Sequence, residues 1–284
     1  MAGLEPTMKT LSLGYSPCPN DTYIFYALTH HKVNFPGHMI RQRLEDVETL
    51  NQLALTGQLD LTKISYHALG HLREEYALLR SGGALGRGCG PLVIAPAATD
   101  MPSLRGKRIA VPGRLTTANL LLQLYGTGYD NLLVMPFDQI MPALKRGTAD
   151  AGVIIHESRF TFGQTGFHEV LDLGAWWEAD SGLPIPLGGI LARRALGAET
   201  ISLADRAIRS SLEYARQHPQ EPRSYIREHA QELDDQVIDA HIDLYVNDFS
   251  IDLGAEGVTA VETLLERAEE RGLIPATRAP LFLC

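Results

Sequence analysis

Four short stretches place polar side chains at the ends of apolar runs: "SPCPNDT" (16–22), "LTKISY" (61–66), "PGRLTT" (112–117) and "IIHESR" (154–159). The last is the sharpest. Val153, Ile154 and Ile155 read as a buried strand, and His156, Glu157, Ser158 and Arg159 follow at once. An imidazole titrates near ~6.5, so His156 offers a neutral general base at cellular pH. The bland alternative is a histidine that caps the strand; the polar company at a strand end favours the base. On an extended backbone Glu157 would point to the opposite side from His156, so no partnership between them is expected. The pair is not HExxH zinc chemistry, because Phe160 stands where the second histidine would be.

Thr116 and Thr117 open a helix. Capping is the ordinary role of such a threonine, yet the same helix start offers free N–H groups and a positive dipole end to a carboxylate. Asn20, Asp21 and Thr22 have the same ambiguity, with capping favoured. Lys63 and Ser65 share one strand face by period two, and Ser65, at the strand end, is the better ligand donor. Cys18 lies between two prolines with no base beside it in sequence, which makes a weak nucleophile. "GALGRGCG" (83–90) is glycine-rich but lacks the GxGxxG pattern between strand and helix; it reads as a turned loop at a cleft wall. Trp176 and Trp177 fit ligand stacking or hinge packing equally. No Cys/His ligand spacing or complete nucleotide motif occurs, so neither a metal nor an organic cofactor is expected to be required.

These groups need elements to hold them. Strands are expected over 9–15, 61–64, 108–111 and 151–155, and helices over 21–30, 47–56, 117–125 and 137–146, with Gly57 and Gly147 as helix stops. "LTGQLDLTKISY" and "LKRGTADAGVIIH" both read helix end, glycine, aspartate, strand; "LSLGYSPCPNDT" and "RIAVPGRLTTA" both read strand, proline-bearing loop, helix start. Two half-copies in the same order predict two α/β lobes on one plan. The lobe limits are placed at 1–94, 95–189 and 190–284, the ends of the chain sharing lobe 1 and the last third being helical with little legible chemistry. In open α/β sheets ligands lie beyond the carboxyl ends of the strands, so all four stretches are expected to line one interlobe cleft.

The composition sets outer bounds. Of 284 residues 45% are hydrophobic and 21% charged, ordinary for a globular protein. A net charge of −9 argues against a nucleic-acid partner. Three widely spaced cysteines form no disulfide framework. No apolar run approaches the ~20 residues of a membrane span, and the opening MAGLEPTMKT lacks a signal-peptide pattern. A cytoplasmic protein is expected, with residues 1–7 as a disordered leader. A homo-oligomer is compatible with the sequence.

The motifs "SPCPNDTYIFYAL", "LEDVETLN", "LTKISYHA", "LRSGGALGRGCGPL", "VPGRLTTA", "AGVIIHESRFTF" and "LGAWWE…GLPIPLGGILARR" resemble, in order from about residue 10 to 195, the 1,4-dihydroxy-6-naphthoate synthases of the futalosine route to menaquinone. The resemblance implies a two-lobe fold like the type 2 periplasmic binding proteins. It implies a lyase that splits cyclic dehypoxanthine futalosine, a small-molecule carboxylate, into 1,4-dihydroxy-6-naphthoate and dihydroxyacetone without a redox cofactor. It assigns His156 as general base, and substrate contacts to Lys63, Ile64 and Ser65 and to Thr116, Thr117 and Ala118. Two rivals share the fold: a small-molecule binding protein without chemistry, and the sibling chorismate dehydratase. The motifs "IIHESRF" and "SPCPND" favour the synthase, and His156 at the cleft argues against mere binding.

Overall fold

The computed structural model describes residues 8–230 and 234–283, so the expected leader and Cys284 lie outside the described residues. Two mixed sheets form. The first holds β1 (Lys9–Tyr15), β2 (His38–Leu44), β3 (Leu61–Ser65), β4 (Tyr76–Leu78) and β5 (Ala84–Gly86); the second holds β6 (Leu92–Ala95), β7 (Ile109–Val111), β8 (Leu132–Val134), β9 (Ala151–Ile154) and β10 (His168–Asp172). Then β11 (Ile185–Arg193) returns to the first sheet. The helices are α1 (Pro19–Thr29), α2 (Val47–Leu55), α3 (Tyr66–Leu72), α4 (Thr117–Tyr125), α5 (Ile140–Lys145), α6 (Ser158–Thr161), α7 (Leu173–Ser181), α8 (Gly197–Gln217), α9 (Arg223–His229), α10 (Asp235–Tyr245), α11 (Asp248–Ile251) and α12 (Gly254–Glu270).

The strand orders, β2-β1-β3-β11-β4 and β8-β7-β9-β6-β10, correspond position by position. In each sheet the first three strands run parallel, and the crossing strand, β11 or β6, is antiparallel to its neighbours. The repeated residues explain the repeated plan. Gly57 and Gly147 end their helices with φ of +64° and +69°, a conformation that favours glycine. Asp60 accepts hydrogen bonds from the Ser12 amide and hydroxyl, both at 2.8 Å, fastening β1 beside β3. Asp150 does the same for β7 beside β9, accepting from the amide and guanidinium of Arg108. Strands β3 and β9 are buried along their whole length, so both read as unbroken apolar-flanked runs rather than alternation.

Some boundaries differ from expectation. Helix α1 starts at Pro19, because the first helical turn tolerates a residue without an N–H. Residues 137–139 form a 3-10 turn before α5. The chain crosses between the sheets from Gly86 to Leu92 and back from Asp172 to Ile185, so the limits at 95 and 189 fall within β6 and β11. The two crossings touch. A β-carbon on Gly90 would lie 2.3 Å from the Gly174 Cα, and the Leu173 amide donates to the Pro91 carbonyl. Trp177 is fully buried there, its indole N–H donating to the Pro184 carbonyl at 3.1 Å, while Trp176 meets Tyr125 edge-on. No described helix is long and apolar enough to cross a membrane.

Candidate active site

Between the sheets lies a cavity of about 680 Å³, its open mouth included. Lys63, Ile64, Ser65, Thr116, Thr117, Ala118 and His156 all line it. So do Ser16 from the loop after β1, Asn20 and Asp21 from the first turn of α1, and Ala84, Cys89 and Gly90 from the glycine-rich stretch that includes β5. The four polar strand ends therefore converge. Trp176 and Trp177 do not line this cavity; Trp177 packs at the crossing, and Trp176 meets Tyr125 beside it.

On the first-sheet side an ion pair forms the wall. Lys63 and Asp21 are both buried, with Nζ 3.0 Å from Oδ1. Asp21 also accepts from the Ser16 hydroxyl and amide and from the Asn20 side chain. Its role exceeds helix capping. The ammonium group gives a second hydrogen to the Gly82 carbonyl at 3.2 Å, and an ammonium has three; one remains for a ligand. Ser65 is held by Asn51, whose side-chain oxygen accepts from the Ser65 amide and whose nitrogen donates to the Ser65 hydroxyl. That hydroxyl keeps its own hydrogen to offer.

On the second-sheet side Thr116 caps α4, accepting from the Asn119 amide at 3.3 Å. The N–H groups of Thr117 and Ala118, in the first turn, have no acceptor within their helix. The Thr117 hydroxyl donates to the Leu187 carbonyl of β11 at 2.6 Å, so it bridges the lobes and is left only to accept from a ligand. Glu48 of α2 makes a second bridge, accepting from the Leu115 amide at 3.1 Å.

His156 departs from strand geometry. Its φ is +56°, and Glu157 is helical with φ −62° and ψ −26°. The backbone turns at His156, so the alternation expected of an extended chain is lost and Glu157 does not point away. Its carboxylate reaches the same cluster as His156 and Cys18, whose ligating atoms all lie within 4.8 Å of one another. Cys18 Sγ is 3.7 Å from His156 Nδ1, which gives the thiol the neighbouring base that its local sequence lacks. Burial of the ring lowers the His156 pKa, against the opposing pull of Glu157 and Asp21. Burial, followed by the Glu157 charge, holds the Cys18 thiol well above its usual range.

The helical last third supplies chemistry that sequence reasoning missed. Helix α10 brings His241 and Tyr245 to the cavity. His241 is fully buried, with Nε2 2.9 Å from the Asn20 side-chain oxygen and its ring stacked 6.2 Å from His156. Burial and the nearby His156 push its pKa well below the ordinary value. The available signal was a histidine on the apolar stripe Ile238–His241–Tyr245, which by pattern alone reads as core.

A family model described as menaquinone biosynthesis matches residues 11–270. The chain is 54% identical to a 1,4-dihydroxy-6-naphthoate synthase of Thermus thermophilus over 97% of this chain and 100% of that one. It is 47% identical to the synthase of the same name from Streptomyces coelicolor, over 94% and 95%. A crystal structure of a protein from Archaeoglobus fulgidus superposes with a TM-score of 0.88 at 38% identity, covering 93% of this chain and 98% of that chain. A Candida albicans protein described as having the generic periplasmic binding protein fold superposes at 0.67 with 14% identity, over 95% and 92%, a likeness of fold alone. The fold is thus that of the periplasmic binding proteins, as the resemblance implied, and the chain belongs to the menaquinone biosynthesis family, alongside two enzymes named 1,4-dihydroxy-6-naphthoate synthase.

Proposed function

We propose that the protein is a carbon–carbon lyase that converts cyclic dehypoxanthine futalosine to 1,4-dihydroxy-6-naphthoate and dihydroxyacetone, with His156 as the general base. The observation that carries this reading is a half-buried imidazole, its pKa lowered by burial, in a cavity where Lys63, Ser65 and the first turn of α4 offer donors to a ligand. The substrate carboxylate would meet the free Thr117 and Ala118 amides at the start of α4. The hydroxyl of Ser65 and the spare hydrogen of Lys63 would hold oxygens on the opposite wall. Ile64, Ile155 and Leu187 supply apolar surface for the ring system. Proton removal beside a carbonyl or hydroxyl starts fragment release, and aromatisation of the product drives it. General-base assistance of this kind contributes about 10²–10⁴ in rate.

The test is incubation of the purified chain with cyclic dehypoxanthine futalosine and, separately, chorismate, followed by chromatography of the products. Appearance of both the naphthoate and the three-carbon fragment from the first substrate is expected. Turnover of chorismate instead identifies the dehydratase, and saturable binding without turnover identifies a binding protein.

A further inference from the structure

A smaller cavity, of about 330 Å³, adjoins the first and shares Ser16, Val47 and His156 with it. Cys18 and Glu157 line it. Bonds of about 2.3 Å to sulfur and 2.0–2.1 Å to nitrogen, set at tetrahedral angles, separate the two ligand atoms by about 3.5 Å. The Cys18 sulfur and His156 Nδ1 stand 3.7 Å apart. The Glu157 side chain is more than nine-tenths buried, and its Oε2 has no hydrogen-bond partner. Buried carboxylate oxygens are normally satisfied, so this one marks an unfilled position beside a thiol and an imidazole.

From this juxtaposition we infer that Cys18, His156 and Glu157 form a binding site for a thiophilic divalent ion of the zinc class, and that the bound ion inhibits the enzyme. A thiolate selects zinc-like ions over magnesium or calcium. On ligation the thiol surrenders its proton to solvent, one per ion, as the sulfur–metal bond forms. A thiolate and a carboxylate then cancel the double positive charge, which suits a buried site. Three protein ligands leave a fourth position for water. The site needs no pattern of closely spaced ligands, because Cys18 comes from the first-sheet lobe and His156 and Glu157 from the second. An ion there would staple the lobes together. It would also occupy the Nδ1 lone pair, so that the ring hydrogen must sit on Nε2 and no basic nitrogen remains. The inhibition rests on the role proposed for His156; the binding does not.

The experiment loads the full chain with zinc chloride, desalts it and measures retained metal, beside Cys18→Ser and Glu157→Gln variants checked by circular dichroism. One retained equivalent is expected for the unaltered chain, with affinity weakened at least about tenfold in each variant. Cobalt chloride added to the unaltered chain should give a sulfur-to-cobalt charge-transfer band, a readout that needs no variant. No retained zinc, no such band, or retention unchanged in both variants overturns the site. Stoichiometric binding with undiminished turnover overturns the inhibition, and with it the assignment of His156 as base.

Discussion

At the scale of single residues the proposal is decided at His156. His156→Asn keeps a hydrogen-bonding side chain of similar size and loses basicity. It is expected to fold, bind substrate and lose about 10²–10⁴ in kcat; turnover within a few-fold of the unaltered enzyme makes the histidine a strand cap. The pH profile gives an independent measure. A base works in its neutral form, and burial lowers the pKa of His156, so if it is the base as proposed, the acidic limb of kcat/KM should lie below the ordinary histidine value of ~6.5. A limb above pH 7 assigns the base elsewhere. Ser65→Ala removes a donor already oriented by Asn51 and should weaken substrate binding by about 0.5–1.5 kcal/mol, read as a raised KM with the fold unaltered. Of the expected residues that line the cavity, Lys63, Ser65, Thr116, Thr117 and His156 were legible from their places in or beside strand and helix ends, and Ile64 and Ala118 came only from the family resemblance. Glu157 and His241 were not legible. The position of Glu157 depends on one left-handed residue before it, and that of His241 on a partner 221 positions away.

At the scale of elements the join between α1 and β3 rests on charge. Asp21 opens α1, Lys63 lies within β3, and both are sequestered from water. Removing one partner of such a pair leaves a buried charge uncompensated, at a cost of about 3–5 kcal/mol. Asp21→Asn should therefore unfold at markedly lower urea concentration, and an unchanged midpoint places water beside the ammonium. Thr117→Val acts differently from a simple loss of a substrate contact. It leaves the Leu187 carbonyl without its donor and should lower both stability and affinity, the stability by about 1–3 kcal/mol. Element order, the glycine stops and the paired aspartates were readable because they are local. The 3-10 turn before α5 and the antiparallel placing of β6 and β11 were hidden, since they follow from how the sheets are completed by distant strands.

At the scale of the whole molecule, the two lobes are joined by the two crossings and by one apolar core that runs through both, and polar bridges are added at the cavity. Glu48 reaches from α2 to the Leu115 amide. This contact is part-exposed and charge-assisted, so Glu48→Ala should cost little in thermal stability. Binding should weaken by up to tenfold, about 1.4 kcal/mol, because the lobes lose a clasp that shapes the cavity. A fall in stability with unchanged KM would make Glu48 an ordinary cap of its own helix. The half-copy pattern made the pairing of lobes visible in the sequence, while the meeting of the crossings at Gly90 and Gly174 had no local signature beyond two small residues.

The left-handed backbone of His156 has a consequence for any attempt to improve the protein. Any residue with a β-carbon is less at ease there than glycine, and histidine, like asparagine, is among the side chains that tolerate it best; replacing it with glycine relieves local strain of at most about 1–3 kcal/mol. Directed evolution under heat alone, with no demand for product, should therefore enrich glycine at position 156, and sequencing the survivors would show it. Those clones would be sturdier than their parent and inert. Survivors that keep histidine under such selection would mean that the ring contributes more to folding than its backbone takes away.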